Sequence, residues 1–142
     1  MTRDPRILLV DDDRDLIAAL DTYLEAHGYT VLQAHDGREG LRVAKVARPD
    51  LVIMDVMMDE RTEGFFAIQN IRRVPGLATV PIFVLTSLYS PPTGFAVPPD
   101  AGWLEHDAFF PKPVDMPALL EAIRSTIGPG RATGLETGSG DA

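Results

Sequence analysis

The feature that most constrains the fold is a short apolar run that ends on an acid, Leu51-Val52-Ile53-Met54-Asp55. Four consecutive apolar residues are too few for a buried helix but enough for a buried strand. Unbroken runs of this kind are typical of parallel strands covered on both faces. Asp55 cannot serve as an ordinary core residue, because burying an unpaired charge costs too much free energy. Ligands bind at the carboxyl ends of strands in open α/β sheets, so Asp55 is the first candidate functional residue.

Strands and helices are expected to alternate along the chain. Apolar runs predict strands at residues 6–10, 30–34, 50–54, 81–85 and 108–110. Helical periodicity lies between them, as in Leu16, Leu20 and Leu24 after the first strand. Alternating strand–helix units predict a parallel sheet between two helix layers. The expected fold is therefore an α/β, flavodoxin-like (βα)5 three-layer sandwich with strand order 2-1-3-4-5.

The segment between the fourth and fifth strands departs from this regular pattern. Four prolines and two glycines fall within residues 90–102, where a fourth helix would lie. Because proline interrupts helical hydrogen bonding, we expect that helix to be shortened or remodelled. After residue 128 the chain lacks apolar periodicity and is rich in Gly, Thr and Ser. We therefore assign residues 1–128 to one domain and residues 129–142 to a disordered tail or linker.

Composition and charge narrow the functional classes. A net charge of −8 argues against nucleic-acid binding by this chain, since phosphate contacts need a basic face. No apolar stretch approaches the ~18–20 residues of a membrane span, and the N-terminus lacks the long apolar region of a signal peptide. The absence of cysteine excludes disulfides and thiolate metal sites. We expect a cytoplasmic protein that binds no membrane.

Three carboxylates are expected to meet at one edge of the sheet. The switch point between strands one and three places Asp11 and Asp12 beside Asp55. These groups repel one another unless a cation joins them, and hard oxygen ligands suit Mg²⁺. Strand four delivers the hydroxyl of Thr86, and Lys112, one of only two lysines, follows strand five. A nucleophilic carboxylate with a metal, a hydroxyl and a lysine forms a set for phosphoryl transfer.

Four segments of the chain together resemble the receiver domain of two-component response regulators. They are Ile7-Leu8-Leu9-Val10-Asp11-Asp12-Asp13, residues 49–58, residues 81–87 and Phe109-Phe110-Pro111-Lys112-Pro113. The resemblance runs from residue 6 to residue 127 and keeps the family's order. It implies a signalling module that receives phosphate from a histidine kinase or a histidine phosphotransferase. Such a module is not otherwise an enzyme, since it catalyses only its own phosphorylation and slow dephosphorylation.

The resemblance implies roles for the acidic residues. Asp55 would be the phospho-acceptor. Asp11 and Asp12 would hold Mg²⁺ together with Asp55, and the backbone carbonyl of Met57 would be a further ligand. Asp13 is expected to be a helix cap or a group outside the metal's own ligands.

The same resemblance implies a conformational switch. Thr86 would bond the phosphoryl group and shift on activation, and Lys112 would pair with that group. Phe109 would take the aromatic switch position, although its role as a core aromatic is the better founded of the two. The Lys112–Pro113 peptide bond is a candidate for the cis form.

Two positions near the site depart from what an efficient self-dephosphorylating domain would carry. The residues two after Asp55 and two after Thr86 are Met57 and Leu88, both apolar. In the receiver family these side chains influence the attacking water. Neither can orient water by hydrogen bonding, so we expect slow loss of phosphate from Asp55.

Other functions and assemblies stay open at this point. Asp11-Asp12-Asp13 also contains the Asp-x-Asp pattern of haloacid-dehalogenase-like phosphatases, in which Asp11 would be the nucleophile. A phosphate-independent pseudo-receiver that only docks a partner is another alternative. The chain could be a stand-alone regulator or a part of a larger one, and a homodimer is open.

Overall fold

Five parallel strands form the centre of the structure, a computed structural model that describes residues 4–55, 63–86 and 107–130. The strands are β1 (Arg6–Val10), β2 (Thr30–Ala34), β3 (Leu51–Asp55), β4 (Ile82–Thr86) and β5 (Ala108–Pro111). Their order in the sheet is β2-β1-β3-β4-β5. The flavodoxin-like α/β order expected from the sequence is therefore confirmed.

Four helices lie in the described part of the chain. They are α1 (Arg14–Ala26), α2 (Gly37–Ala47), α3 (Glu63–Arg72) and α4 (Met116–Ile127). The carboxylates of Asp13, Asp36 and Asp115 each accept a hydrogen bond from a backbone N–H of the first turn of α1, α2 and α4. These caps satisfy amide groups that have no partner inside the helix. No helix among these four is long and apolar enough to cross a membrane.

The sheet is buried on both faces, which explains its unbroken apolar runs. On one face Leu8, Val52 and Val84 pack in a core with Ala44 of α2 and Ile68 of α3. On the other face the alternate residues of the same strands pack against α1 and α4, where Ile17, Leu20, Leu24, Leu119 and Ile123 are buried. Side chains of a strand alternate between faces, so every residue of β3 is buried.

The observed strands end slightly later than the sequence predicted. Strand β3 includes Asp55, which pairs in register with Leu85, and β4 includes Thr86, which pairs with Pro111. The parallel ladder thus continues to the residues that were expected to follow the strands. The proline-rich segment at 90–102 and residues 131–142 lie outside the described residues, so the expectations for the fourth helix and for the tail stay predictions.

A buried ion pair joins α3 to the start of β4 and β5. Arg72 Nη2 lies 2.6 Å from Asp107 Oδ2, and the two side chains are only 11% and 1% exposed. Asp107 also accepts a hydrogen bond from the backbone N–H of Ile82 at 2.8 Å, while Arg72 donates to the carbonyl of Val80 at 2.9 Å. The pair therefore fixes the amino ends of two neighbouring strands, whose carboxyl ends carry Thr86 and Lys112.

We predict that Asp107→Ala destabilises the protein by about 3 kcal/mol, because the buried guanidinium loses its counter-charge. Urea unfolding followed by circular dichroism measures the change. Asp115→Ala is the matched control, since it removes an exposed helix cap and should cost only about 1 kcal/mol. Equal losses in the two variants would contradict the structural role of the pair.

Candidate functional site

The carboxyl edge of the sheet brings the acidic residues together. Val10 pairs in register with Met54, so Asp11 and Asp55, one residue further along, are neighbours on adjacent strands. The backbone N–H of Asp11 donates to the carbonyl of Ala34 at 3.1 Å, which ties it to the end of β2 as well. The switch point between β1 and β3 thus lies where the sequence placed it.

Asp11, Asp12 and Asp55 form a compact carboxylate cluster. Each offers one oxygen, and these oxygens all lie within 4.8 Å of one another. Asp11 and Asp55 are each only 2% exposed, whereas Asp12 is exposed. Negative charges at this separation repel strongly away from water, so the cluster needs a compensating cation.

Lys112 supplies one such positive charge. Its Nζ lies 2.9 Å from Asp11 Oδ2 and donates a hydrogen bond to Asp55 Oδ2 at 3.2 Å. Burial alone would lower the pKa of Lys112, but the contacts with Asp11 and Asp55 outweigh it and raise the pKa above its ordinary value. Lys112 is therefore a fixed cation at neutral pH.

Lys112 lies in the loop after β5, with a proline on each side of it in the sequence. The Lys112–Pro113 peptide bond is cis, as the resemblance to receiver domains implied. Pro111 is the last residue of β5, and Asp115 caps α4 three residues after Lys112. The lysine is thus placed by the end of a strand on one side and the start of a helix on the other.

The two oxygens of Asp11 have different environments. Oδ1 accepts a hydrogen bond from the backbone N–H of Asp13 at 2.9 Å, which orients the carboxylate. Oδ2 is buried and contacts Lys112 Nζ as an ion pair, but this contact does not have hydrogen-bond geometry. Burial raises the pKa of Asp11 above its ordinary value; the Asp13 N–H and Lys112 oppose that rise, and the charge of Asp55 adds to it.

The residues present fit a hard divalent cation. The donors are carboxylate oxygens, which Mg²⁺ prefers, and one of the residues is exposed, which suits an ion that keeps part of its water. Oδ2 of Asp11 is buried and accepts no hydrogen bond, so this oxygen could still coordinate a metal ion. The acidic cluster expected from the sequence is therefore present, and it is chemically suited to magnesium.

The structure describes the other predicted site residues only in part. Thr86 is the last residue of β4 and belongs to the same edge as Asp55, while its side chain is outside the described part. Met57 and Leu88 lie outside the described residues altogether. Phe109 is 37% exposed, so the alternative that it is a core aromatic is wrong. Phe110 packs inward instead, with its ring centroid 5.3 Å from that of Phe83, because alternate strand residues face opposite sides.

Two features of the site were missed by sequence reasoning. Lys112 contacts Asp11 as well as Asp55, whereas it was expected to pair only with the phosphoryl group. Asp13 has a double role, since its side chain caps α1 while its backbone N–H holds Asp11. The triplet of aspartates is the only sequence signal for the second contact, and it does not reveal which atom donates.

We predict that Lys112→Met lowers the free energy of unfolding by about 2 kcal/mol without divalent ions. The reason is that Asp11 and Asp55 lose their counter-charge. The loss is smaller than for a fully buried pair because the lysine side chain is 19% exposed. Added Mg²⁺ should narrow the difference between variant and parent in urea unfolding. Lys45→Met, at the other lysine, is the matched control; equal effects of the two changes would contradict the interpretation.

Comparison with known proteins agrees with this geometry. The family model described as the response regulator receiver domain matches residues 7–124. The chain is 34% identical over 126 residues to the DNA-binding dual master transcriptional regulator RpaA of Synechocystis, covering 87% of this chain and 49% of that protein. It is 30% identical over 125 residues to the protein PilH of Pseudomonas aeruginosa, covering 86% of this chain and 97% of that protein.

A solved structure shows the same fold. The chemotaxis response regulator CheY4 of Vibrio cholerae superposes with a TM-score of 0.73 at 28% identity, covering 88% of this chain and 100% of that one. The chain spans about half the length of RpaA but nearly all of PilH. The match over residues 7–124, with the sheet order and the acidic cluster, identifies the chain as a member of the receiver domain family of two-component response regulators, which are phosphorylation-dependent signalling modules.

Proposed function

We propose that Asp55 is the phospho-acceptor of this receiver domain and takes its phosphoryl group from a histidine kinase or a histidine phosphotransferase. The observation that carries the proposal is the position of the Asp55 carboxylate. It ends the central strand β3, clusters with Asp11 and Asp12, and accepts a hydrogen bond from Lys112. No other carboxylate of the described residues combines this position with these contacts.

The proposed step is a displacement at phosphorus. A carboxylate oxygen of Asp55 attacks the phosphoryl group of a phosphohistidine, a P–O bond forms, and the P–N bond breaks. The histidine ring carries a proton on its other nitrogen. When it keeps the electron pair of the P–N bond, it therefore leaves as neutral imidazole. Lys112, held charged between two carboxylates, can neutralise negative charge on the transferred oxygens. The protein therefore contributes a nucleophile and a fixed counter-charge.

We propose that the acidic cluster holds Mg²⁺ during this step. Asp11, Asp12 and Asp55 would supply carboxylate oxygens, with the backbone carbonyl of Met57 as a further ligand. When bound, Mg²⁺ supplies positive charge to phosphoryl oxygens and reduces repulsion between them and the carboxylates. The hydrogen bond from Asp13 keeps the carboxylate of Asp11 in a fixed orientation for this role.

The output of the switch is proposed to pass through Thr86 and Phe109. Thr86 ends the strand next to β3, so a phosphoryl group on Asp55 lies within reach of that strand end. Phe109 is partly exposed on the adjacent β5, where a change of rotamer needs no repacking of the core. Phosphorylation would then change the relative populations of two arrangements of this face.

A pseudo-receiver and a phosphatase are less well supported. The match to the receiver family and the fold do not favour either alternative. A pseudo-receiver would also need no lysine between the carboxylates. Beryllofluoride with Mg²⁺ mimics the phosphorylated carboxylate, and a response of the single Trp103 or of the backbone NMR signals would exclude the docking-only alternative.

We predict that Asp55→Ala abolishes stable phosphorylation by acetyl phosphate with Mg²⁺, because the nucleophile is removed. Intact-protein mass spectrometry measures the phosphate gain. Asp21→Ala is the matched control and should label like the parent, since Asp21 is a half-buried carboxylate of α1 outside the acidic cluster. Hydrolysis of phosphate esters that disappears in Asp11→Ala but persists in Asp55→Ala would instead support the phosphatase.

We predict slow loss of phosphate from labelled Asp55, with a half-life well beyond seconds, since Met57 and Leu88 cannot orient water. Measuring the decay after removal of acetyl phosphate gives the rate. Met57→Asn should shorten the lifetime, because an amide can bond to water, whereas Met58→Asn serves as the neighbouring control. A parent lifetime of seconds would disprove this explanation.

A further inference from the structure

A basic cavity lies between α2 and α3, away from the acidic cluster. Its volume is about 490 Å³, which is in the range of ~300–1,000 Å³ found for small-molecule sites. It is lined by residues of α2 and α3 and of the segments that directly follow these helices, namely by Leu41, Lys45, Arg48, Asn70, Arg73, Val74 and Pro75. We refer to these seven residues as the α2–α3 cavity.

The charge of the α2–α3 cavity is opposite to that of the protein. The chain carries a net charge of −8 and has only 13 basic residues, yet three of them line this one cavity. None of its described lining residues is acidic. Neither Lys45 nor Arg73 forms a salt bridge with a carboxylate of the described residues. Their positive charges are thus available to an anion from solution.

The third cation, Arg48, is held in place by the backbone. Arg48 follows α2 in the left-handed region at φ 54°, and its guanidinium donates to the carbonyl of Pro75. The guanidinium lies close over Gly76, where a Cβ would be 2.7 Å from Nη1. The glycine leaves room for this position. A guanidinium fixed before a ligand arrives loses less entropy when it binds one.

The cavity also has apolar walls. Leu41 and Val74 belong to the core or pack against it, and their apolar surface adjoins the cations. Cations of this kind favour phosphate, since guanidinium groups offer paired donors to phosphate oxygens. Apolar walls favour a ligand in which an apolar group is attached to the anion. We propose that the α2–α3 cavity is a binding site for a small phosphate monoester that carries an apolar body.

This site is separate from the phosphorylation site. Helices α2 and α3 both run back from the carboxyl edge of the sheet, so Arg48 and Arg73 lie near the starts of β3 and β4. Asp55 lies at the other end of β3. The proposal does not rest on Asp55 being phosphorylated and stands or fails by itself.

The test is an NMR titration of the ¹⁵N-labelled protein with phenyl phosphate in the absence of Mg²⁺. We expect saturable shifts of the backbone amides of Leu41, Asn70 and Val74, with weaker binding of inorganic phosphate because it lacks an apolar body. Arg73→Gln should lower the affinity for phenyl phosphate roughly tenfold, as expected for the loss of one charged hydrogen bond. Arg42→Gln is the matched control, since Arg42 is an exposed cation of α2, the helix that also carries Leu41 and Lys45, and lies outside the cavity.

Four outcomes would overturn the proposal. The first is the absence of saturable shifts at the cavity amides. The second is an equal loss of affinity in Arg73→Gln and Arg42→Gln, which would indicate only general attraction to positive charge. The third is equal affinity for inorganic and phenyl phosphate, which would show that an apolar body of the ligand contributes nothing to binding. Shifts confined to the loop around Lys112 would place binding at the acidic cluster and also contradict it.

Discussion

The contacts of Lys112 with both Asp11 and Asp55 are the interaction on which the site depends. Two carboxylates that are only 2% exposed could not stay charged side by side without a cation between them. Lys112 is held there by the end of β5 on one side and by the start of α4, which Asp115 caps, on the other. The chemistry of this domain is thus inseparable from its parallel topology, which brings the ends of β1, β3 and β5 together.

Much of the fold and of the site's location could be predicted from the sequence. Apolar runs such as 51–54 need burial on both faces, and alternating helices leave few topologies that provide it. Once the order 2-1-3-4-5 is assumed, Asp11, Asp12 and Asp55 must meet, whatever the details of packing. The switch roles of Thr86 and Phe109 and the ligand role of the Met57 carbonyl came only from the resemblance to receiver domains, and they remain proposals.

What the sequence did not reveal depends on contacts between distant residues. Arg72 and Asp107 are 35 positions apart, and each alone reads as a surface charge, yet together they form a buried pair. Phe109 and Phe110 are chemically identical neighbours, so only strand pairing decides which one packs on Phe83. The basic residues of the α2–α3 cavity are likewise scattered along the chain and meet only because two helices end side by side.

The central claim, that this edge of the sheet makes Asp55 the phosphorylated residue, has a direct measurement. The protein is labelled with acetyl phosphate and Mg²⁺, reduced with borohydride to convert the acyl phosphate into a stable alcohol, digested, and mapped by tandem mass spectrometry. The account predicts conversion at Asp55 alone, and none when Mg²⁺ is chelated before labelling. Conversion at Asp11 or Asp12, or at no aspartate, would contradict it.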